Sequence, residues 1–428
     1  MAVDFSLLPP KCPVPDKTPS PFLGSIAFVV LTLAGIAFAL GSWPRNAKTQ
    51  TPWFWFYVVV IPVCLAGTIV LTRFSLFYRR RNRALSDNRS RKAYADMVFE
   101  AASVPLAVLT SGYRLHADEE HNAFDAIVAR SVSPPTRRAM NSQEMVVASC
   151  LEPAAAALTF DDAERHSAVL EWTLRSFAPA IAEVLARVPE RIPVVVHLDV
   201  TSAVLSHDAI LAIWAGLPAS VRPPRLTGQP MIEPSGGLWL VDTMLDRTSP
   251  ALRDVVTLLI SANLHLLRSA DPEPGSAEAA CMLLLSPAAL ACEEQLPVSG
   301  WIHRPQVDML APPEGALHYA LKWGGTTGAA LAGTIQTGFD ERAATRLRIA
   351  LRTADRPSEG ASSFDFALDT LAGNTGPTAP WLAAALALDR AGACGAPFIV
   401  GVRQEERVML AVLAPAEHHT QQDVLKND

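Results

Sequence analysis

Between Lys17 and Arg45 the chain carries no charged side chain, and Phe22–Ser42 (FLGSIAFVVLTLAGIAFALGS) is apolar over the roughly 20 residues that a helix needs to cross a bilayer core. A second stretch, Trp53–Thr72 (WFWFYVVVIPVCLAGTIVLT), repeats that length, opens on interfacial aromatics and stops at Arg73. Half of the residues are apolar and only 18% are charged, which is low for a wholly soluble chain and agrees with a part lying in lipid. A cleaved signal is disfavoured, because the first run is long, begins more than 20 residues in and is followed at once by another. The short linker Pro44–Pro52 makes residues 22–72 a transmembrane hairpin, preceded by a segment 1–21. Proline is tolerated in membrane helices, so Pro62 is compatible with the second span. Tyr57 and Cys64 are the only ionisable groups inside the spans, so no proton or ion path follows.

Orientation follows from flanking Lys and Arg. The linker holds Arg45 and Lys48, whereas the segment 73–93 after the second span holds Arg73, Arg79, Arg80, Arg81, Arg83, Arg89, Arg91 and Lys92. This places the N-terminus and everything after Thr72 in the cytoplasm, with the spans in the inner membrane. The basic segment reads as a linker that sets topology, and Arg79, Arg80, Arg81 and Arg83 are its candidates for contact with anionic lipid. A formal net charge of −6 without a global basic field excludes nucleic acid as a partner. Six cysteines without a CxxC or a Cys/His cluster exclude a zinc site and a secreted disulfide scaffold.

From about Tyr94 the chain alternates β-rich and helical runs, the pattern of an α/β domain over 94–415. Val104–Thr110, Pro193–Val200 and Ala279–Ser286 read as strands, and Ala163–Arg187 as a helix with apolar residues at helical spacing. Val255–Leu267 fits a strand or a helix. Leu217–Gly237 reads as a loop, and the Pro-rich Pro287–Gly315 as the connection between two halves, 104–287 and 316–415. The second half continues through Leu317–Trp323, a helix Asp340–Arg352, a loop Pro357–Ser363, a helix Trp381–Ala391 and a closing hairpin of Pro397–Val402 with Arg407–Leu413. Residues 416–428 read as a flexible tail.

Two passages resemble the thiolase-like superfamily, the β-ketoacyl synthases and their relatives. Asp254–Pro287, in which DVVTLLISANLHLL leads to PGSAEAACMLLLSP, resembles the strand, small-residue turn and strand that end the first half of such proteins. Gly373–Ala387 (GNTGPTAPWLAAALA) is similar to their glycine-histidine turn and following helix, with FDERAATRLRIALRTADR upstream. The resemblance implies an αβαβα layered domain of two similar halves, which usually pairs into a homodimer or a heterodimer.

It also implies what should be present for catalysis: a cysteine thiolate and two basic side chains that polarise a thioester carbonyl. The window expected to hold the cysteine, Pro234–Leu245 (PSGGLWLVDTML), has none. Cys150 comes too early, Cys281 lies inside an apolar strand and Cys292 follows it. Asn374 stands where histidine is expected, and His303 and His318 lack the family context. The residues Gly373, Asn374 and Thr375 are thus vestigial-site candidates, with no catalytic residue, cofactor or metal expected. Asparagine can donate to an oxyanion but is no base near neutral pH.

Other constellations have plainer readings. His197 and Asp199, with His207, Asp208 and Ser202 or Ser206 nearby, suggest a triad but lack a GxSxG elbow. The cluster His116, Asp118, Glu119, Glu120 and His121 has metal-ligand types at the wrong spacing for one helical face. Gly324–Gly328 (GGTTG) lacks the Lys-Ser/Thr of a phosphate loop and reads as a turn. Trp239 and Trp301 read as core or interface aromatics. The expected function is a non-catalytic, membrane-anchored scaffold or adaptor, which resembles accessory families of type VI-like secretion clusters with secretion or effector proteins as partners. The alternatives are an acyl-thioester enzyme with an unrecognised catalytic set, and an immunity protein that neutralises a toxin.

Overall fold

A computed structural model describes residues 8–44, 48–130, 134–140, 145–226, 228–234, 236–246, 254–309, 314–354, 364–404 and 407–417. Arg45, the loop Pro357–Ser363 and the tail from His418 lie outside the described residues. The chain divides into two compact units, one up to Ala101 and one from Ala102 onward.

The first unit is built on two helices, α1 (Pro21–Ser42) and α2 (Pro52–Ala102), both long and apolar enough to cross a membrane. Ser20 caps α1 by accepting from the N–H of Leu23, and Pro21 fills the first turn, where a missing N–H costs nothing. Thr51 caps α2 in the same way. A π-helical turn over Phe56–Val60 comes just ahead of Pro62, whose ring lacks an N–H and crowds the preceding turn. Gly35 lets α1 approach that proline: a Cβ there would lie 2.7 Å from the Pro62 Cβ. Gly24 faces Phe74 in the same antiparallel register, and Trp43 packs edge-on against Phe54 at 5.1 Å.

The basic segment is helical where a linker is the sequence expectation. Residues 73–102 contain neither glycine nor proline, so nothing breaks α2 after Thr72, and it runs on for about 45 Å at 1.5 Å per residue. The N-terminal segment lies along it. Asn88 exchanges two 2.9 Å hydrogen bonds with the backbone of Cys12, and the Arg91 Nε donates to the Pro9 carbonyl.

In the second unit the principal strands are β1 (Leu106–Arg114), β2 (Val194–Thr201), β3 (Val256–Asn263), β4 (Ala279–Pro287), β5 (Gly300–Ile302), β6 (Gln306–Met309), β7 (Gly333–Thr337), β8 (Phe364–Ala367), β9 (Phe398–Gln404) and β10 (Arg407–Pro415). The helices that matter are α3 (Asp162–Leu185), α4 (His207–Gly216), α5 (Trp239–Asp246), α6 (Glu314–Trp323), α7 (Glu341–Thr353) and α8 (Ala379–Cys394). The strands form one mixed sheet in the order β8, β7, β9, β10, β5, β1, β4, β3, β2, with β6 also on β10. β2 with β3, β7 with β8 and β7 with β9 are parallel, and the other pairs are antiparallel. The three residues of β5 bond to β1 on one side and β10 on the other, joining the halves.

Strand alternation creates the layers. On β4, Ala280, Met282 and Leu284 pack with α3, while Ala279, Cys281, Leu283 and Leu285 pack with α8. On β10, Met409, Ala411 and Leu413 face α8 from the other side, and Val408, Leu410 and Val412 face α6 and α7. The alanine-rich α8 is therefore the middle of five layers: α3, half-sheet, α8, half-sheet, then α6 with α7. Its small side chains at Ala383, Ala384, Ala385 and Ala387, all fully buried, allow both half-sheets to close on it.

Candidate functional site

Two helix starts meet at one end of the central layer. Gly236 and Gly237, at φ 65° and 62°, lead into α5, and a Cβ on Gly237 would lie 3.0 Å from Pro380 in the first turn of α8. Only glycine accepts both the backbone angle and that contact. The turn before α8 is stitched to the start of β4: the Asn374 N–H donates to Gly275 at 2.8 Å and the Ala277 N–H to the Asn374 carbonyl at 2.8 Å. Gly373, at φ 92°, approaches Ala277 too closely for a side chain, and Gly376 lies against the Asn263 amide. Inside the turn, Thr378 Oγ1 and Ser261 Oγ share a 2.9 Å hydrogen bond, and Thr375 is fully buried.

A cavity of about 290 Å³ opens beside the turn, lined among others by Asp369, Asn374, Gly376, Pro380, Arg403 and Gln404. A neighbouring cavity of about 590 Å³ shares Val402 and Gln404 with it and adds Trp239, Val307, Arg407 and Met409. Among the described residues, neither lining includes a cysteine or a histidine. Asn374 is exposed, and its Oδ1 accepts from the Gly376 N–H at 3.0 Å, closing a local turn rather than reaching into the cavity. Asp369 accepts from Thr337 Oγ1 at 2.8 Å and from the Gly338 N–H at 2.6 Å, and Arg403 is paired with Asp340 at 2.5 Å. Cys281 lies across β3 from Ser261, fully buried. Burial first, and then the nearby Asp199 carboxylate, push its thiol above the ordinary range, so it is held neutral.

Of the other sequence candidates, only Trp239 is among the residues that line this cleft. His303 is buried, His318 is exposed on α6, Cys150 is half-buried and Cys292 is exposed. His197 Nε2 is bonded to the Glu233 carbonyl at 2.9 Å. Ser206 caps α4 by accepting from Ala209, with His207 and Asp208 in its first turn. His116 and His121 sit in a bend organised by Asn122, whose Oδ1 accepts from the N–H groups of Leu115 and His116. Among the described residues no group of three or more His, Cys, Asp or Glu is placed to hold a metal ion. Gly324 fits against Val412 and Gly328 against the Ala354 carbonyl, which is the role of a tightly packed turn. Trp301 is buried, with Nε1 donating to the Ala416 carbonyl, and Trp239 opens α5 at the rim of the larger cavity.

Sequence reasoning missed the polar network behind β3. Ser202 is joined to His166 Nδ1 at 2.8 Å, not to His197, and His166 Nε2 meets the His265 carbonyl at 2.8 Å. Ser202 Oγ also accepts from the N–H groups of Val204 and Leu205, so its lone pairs close a turn. Arg165 and Glu278 form a fully buried ion pair at 2.5 Å, and Glu278 also accepts from the backbone N–H of Leu151 and His265. The one local signal was the run Asp161–His166 at a helix start, polar where the helix turns inward.

No family model matches the chain, and no curated protein matches it. Solved structures do. A ketosynthase from module 6 of the bacillaene synthase of Bacillus subtilis 168 is 14% identical with a TM-score of 0.49, over 73% of this chain and 70% of that one. Ketosynthase twelve of the bacillaene polyketide synthase of Bacillus amyloliquefaciens is 11% identical with a TM-score of 0.48, over 73% of each chain. The peroxisomal 3-ketoacyl-CoA thiolase of Saccharomyces cerevisiae, a five-layered structure of two core domains, is 11% identical with a TM-score of 0.41, over 73% and 98%.

Proposed function

We propose that this protein is a non-catalytic scaffold or adaptor, anchored in a bacterial inner membrane by a two-span hairpin with both the N-terminus and the second unit in the cytoplasm. The observation that carries the reading is the composition of the cleft where α5 and α8 begin. Among the described residues its linings hold glycine, proline, tryptophan and two arginines, but no cysteine or histidine where acyl transfer needs a thiolate beside imidazole, and Asn374 turns its oxygen to Gly376. The neutral thiol of Cys281 lies inside the packed core. The basic flank from Arg73 supports the orientation, with Arg79, Arg80, Arg81 and Arg83 on anionic headgroups. The sequence resemblance supports pairing of the second unit into a dimer and a place beside a type VI-like secretion assembly.

The test is to treat the detergent-solubilised full chain with iodoacetamide and, separately, with acyl-CoA, and to map adducts by peptide mass. The expected result is no acyl adduct on any cysteine, with Cys281 alkylated only after denaturation. Transfer of an acyl group to one cysteine, at a rate changed by Asn374→His, would reverse the assignment. For the adaptor role, affinity purification from solubilised membranes should retain several secretion components; recovery of one toxin alone points instead to immunity.

A further inference from the structure

Helix α7 has an outer face that the cleft does not use. Its inner residues Ala343, Leu347, Ala350 and Leu351 are buried against the second half-sheet. At 100° per residue the outward pole falls on Thr345, Ile349 and Arg352, with Glu341 and Arg348 on one flank and Arg342 and Arg346 on the other, so four arginines and one glutamate leave the face net positive. All four arginines are exposed, and Ile349 in their midst is 56% exposed. Exposed arginines on α3 and just past its end come with an acid one turn away, Arg175 with Glu171 at 2.5 Å and Arg187 with Glu183 at 3.0 Å. Among the described residues the four of α7 have no ion-pair partner, and the nearby cap residue Asp340 is occupied by Arg403 and the Ala343 N–H.

We infer that this face of α7 docks on an anionic lipid surface, its guanidinium groups on headgroup phosphates and Ile349 at the acyl boundary. Cationic side chains flanking an aliphatic pole are what an interfacial helix needs. A protein partner demands more apolar area than one isoleucine offers, since a stable interface buries about 800 Å² per side around an apolar centre. The lipid is also supplied by the chain itself, and here the inference rests on the membrane reading above. The two spans tether the second unit to one bilayer, so the contact is intramolecular and a weak one suffices.

The experiment uses the full chain carrying Ile349→Cys in nanodiscs of phosphatidylcholine alone or with about 30 mol% phosphatidylglycerol. The rate at which a polar maleimide labels position 349 is read by peptide mass mapping, with Cys292 and Cys394 as internal references. Labelling should be about fivefold slower in the anionic discs, and about 0.5 M NaCl should restore it. Changing Arg342, Arg346, Arg348 and Arg352 together to Gln, all at exposed positions, should abolish the difference. Equal rates in the two lipids overturn the inference: fast in both means no contact, and slow in both means a contact with protein. A chain that elutes apart from the discs would refute the membrane reading itself and this inference with it.

Discussion

Replacing Asp162 with Asn tests the polar network behind β3. Asp162 is 4% exposed, yet its carboxylate accepts from the backbone N–H of Leu267 at 2.7 Å, of Arg268 at 3.0 and 3.2 Å and of Ser269 at 2.8 Å, and from Ser269 Oγ at 2.6 Å. Burial alone would raise its pKa, but these donors outweigh burial and bring it from 3.8 to about 2. That depression is equivalent to about 2 kcal/mol of stability. Because the folded value lies below the unfolded one, the stabilisation is complete above roughly pH 4 to 5 and is lost as the pH falls through 2. Asp162→Asn keeps the shape and one acceptor but turns an N–H group toward the donors, so the expected loss at pH 7 is about 2–3 kcal/mol. Urea denaturation of the detergent-solubilised chain, followed by tryptophan fluorescence, measures it. The gap between parent and variant should shrink by more than half near pH 2.5. A gap below about 0.5 kcal/mol at pH 7, or one that does not change with pH, would refute the argument, because the loss would then not be ionic.

Three further perturbations follow from the same geometry. Glu278→Ala strands the Arg165 charge in the core and should cost about 3–5 kcal/mol, whereas Glu171→Ala, which breaks an exposed pair on the same helix, should cost under about 0.5 kcal/mol; paired denaturation curves test the contrast. Gly237→Val meets both a positive φ and Pro380, so a loss of about 2–4 kcal/mol is expected, with Gly216→Ala, which has open space around it, as the control. Gly35→Leu should separate α1 from the Pro62 turn of α2, read as a gain in protease sensitivity of the hairpin in micelles while the fluorescence midpoint of the second unit is unchanged.

How legible the molecule was in its sequence depends on the range of the interaction. The first apolar run, α7 with Asp340 as its cap, α8, β2 and β4 are written in local periodicity, and each falls within a few residues of its expected bounds; the second apolar run starts where expected but its helix continues to Ala102, and β3 settles as a strand a segment that fitted strand or helix. The short strands β7 and β8 were not legible: five and four residues carry no period of their own and are strands because α8 and β9 leave them a place in the sheet. The cleft was legible only as glycine-rich turns, at Gly236–Gly237 and Gly373–Gly376. Its shape was not, because the approach of Gly237 to Pro380 joins residues 143 positions apart in the numbering.

The partner of Ser202 shows the limit most clearly. Proximity along the chain suggests His197, yet a strand alternates its side chains, and helix α3 instead delivers His166 from 36 residues away. Hydropathy, charge and helical period act between near neighbours and can be read from a string of residues. Which polar groups meet in the interior depends on how helices and sheets pack at full density, and only the folded chain decides that.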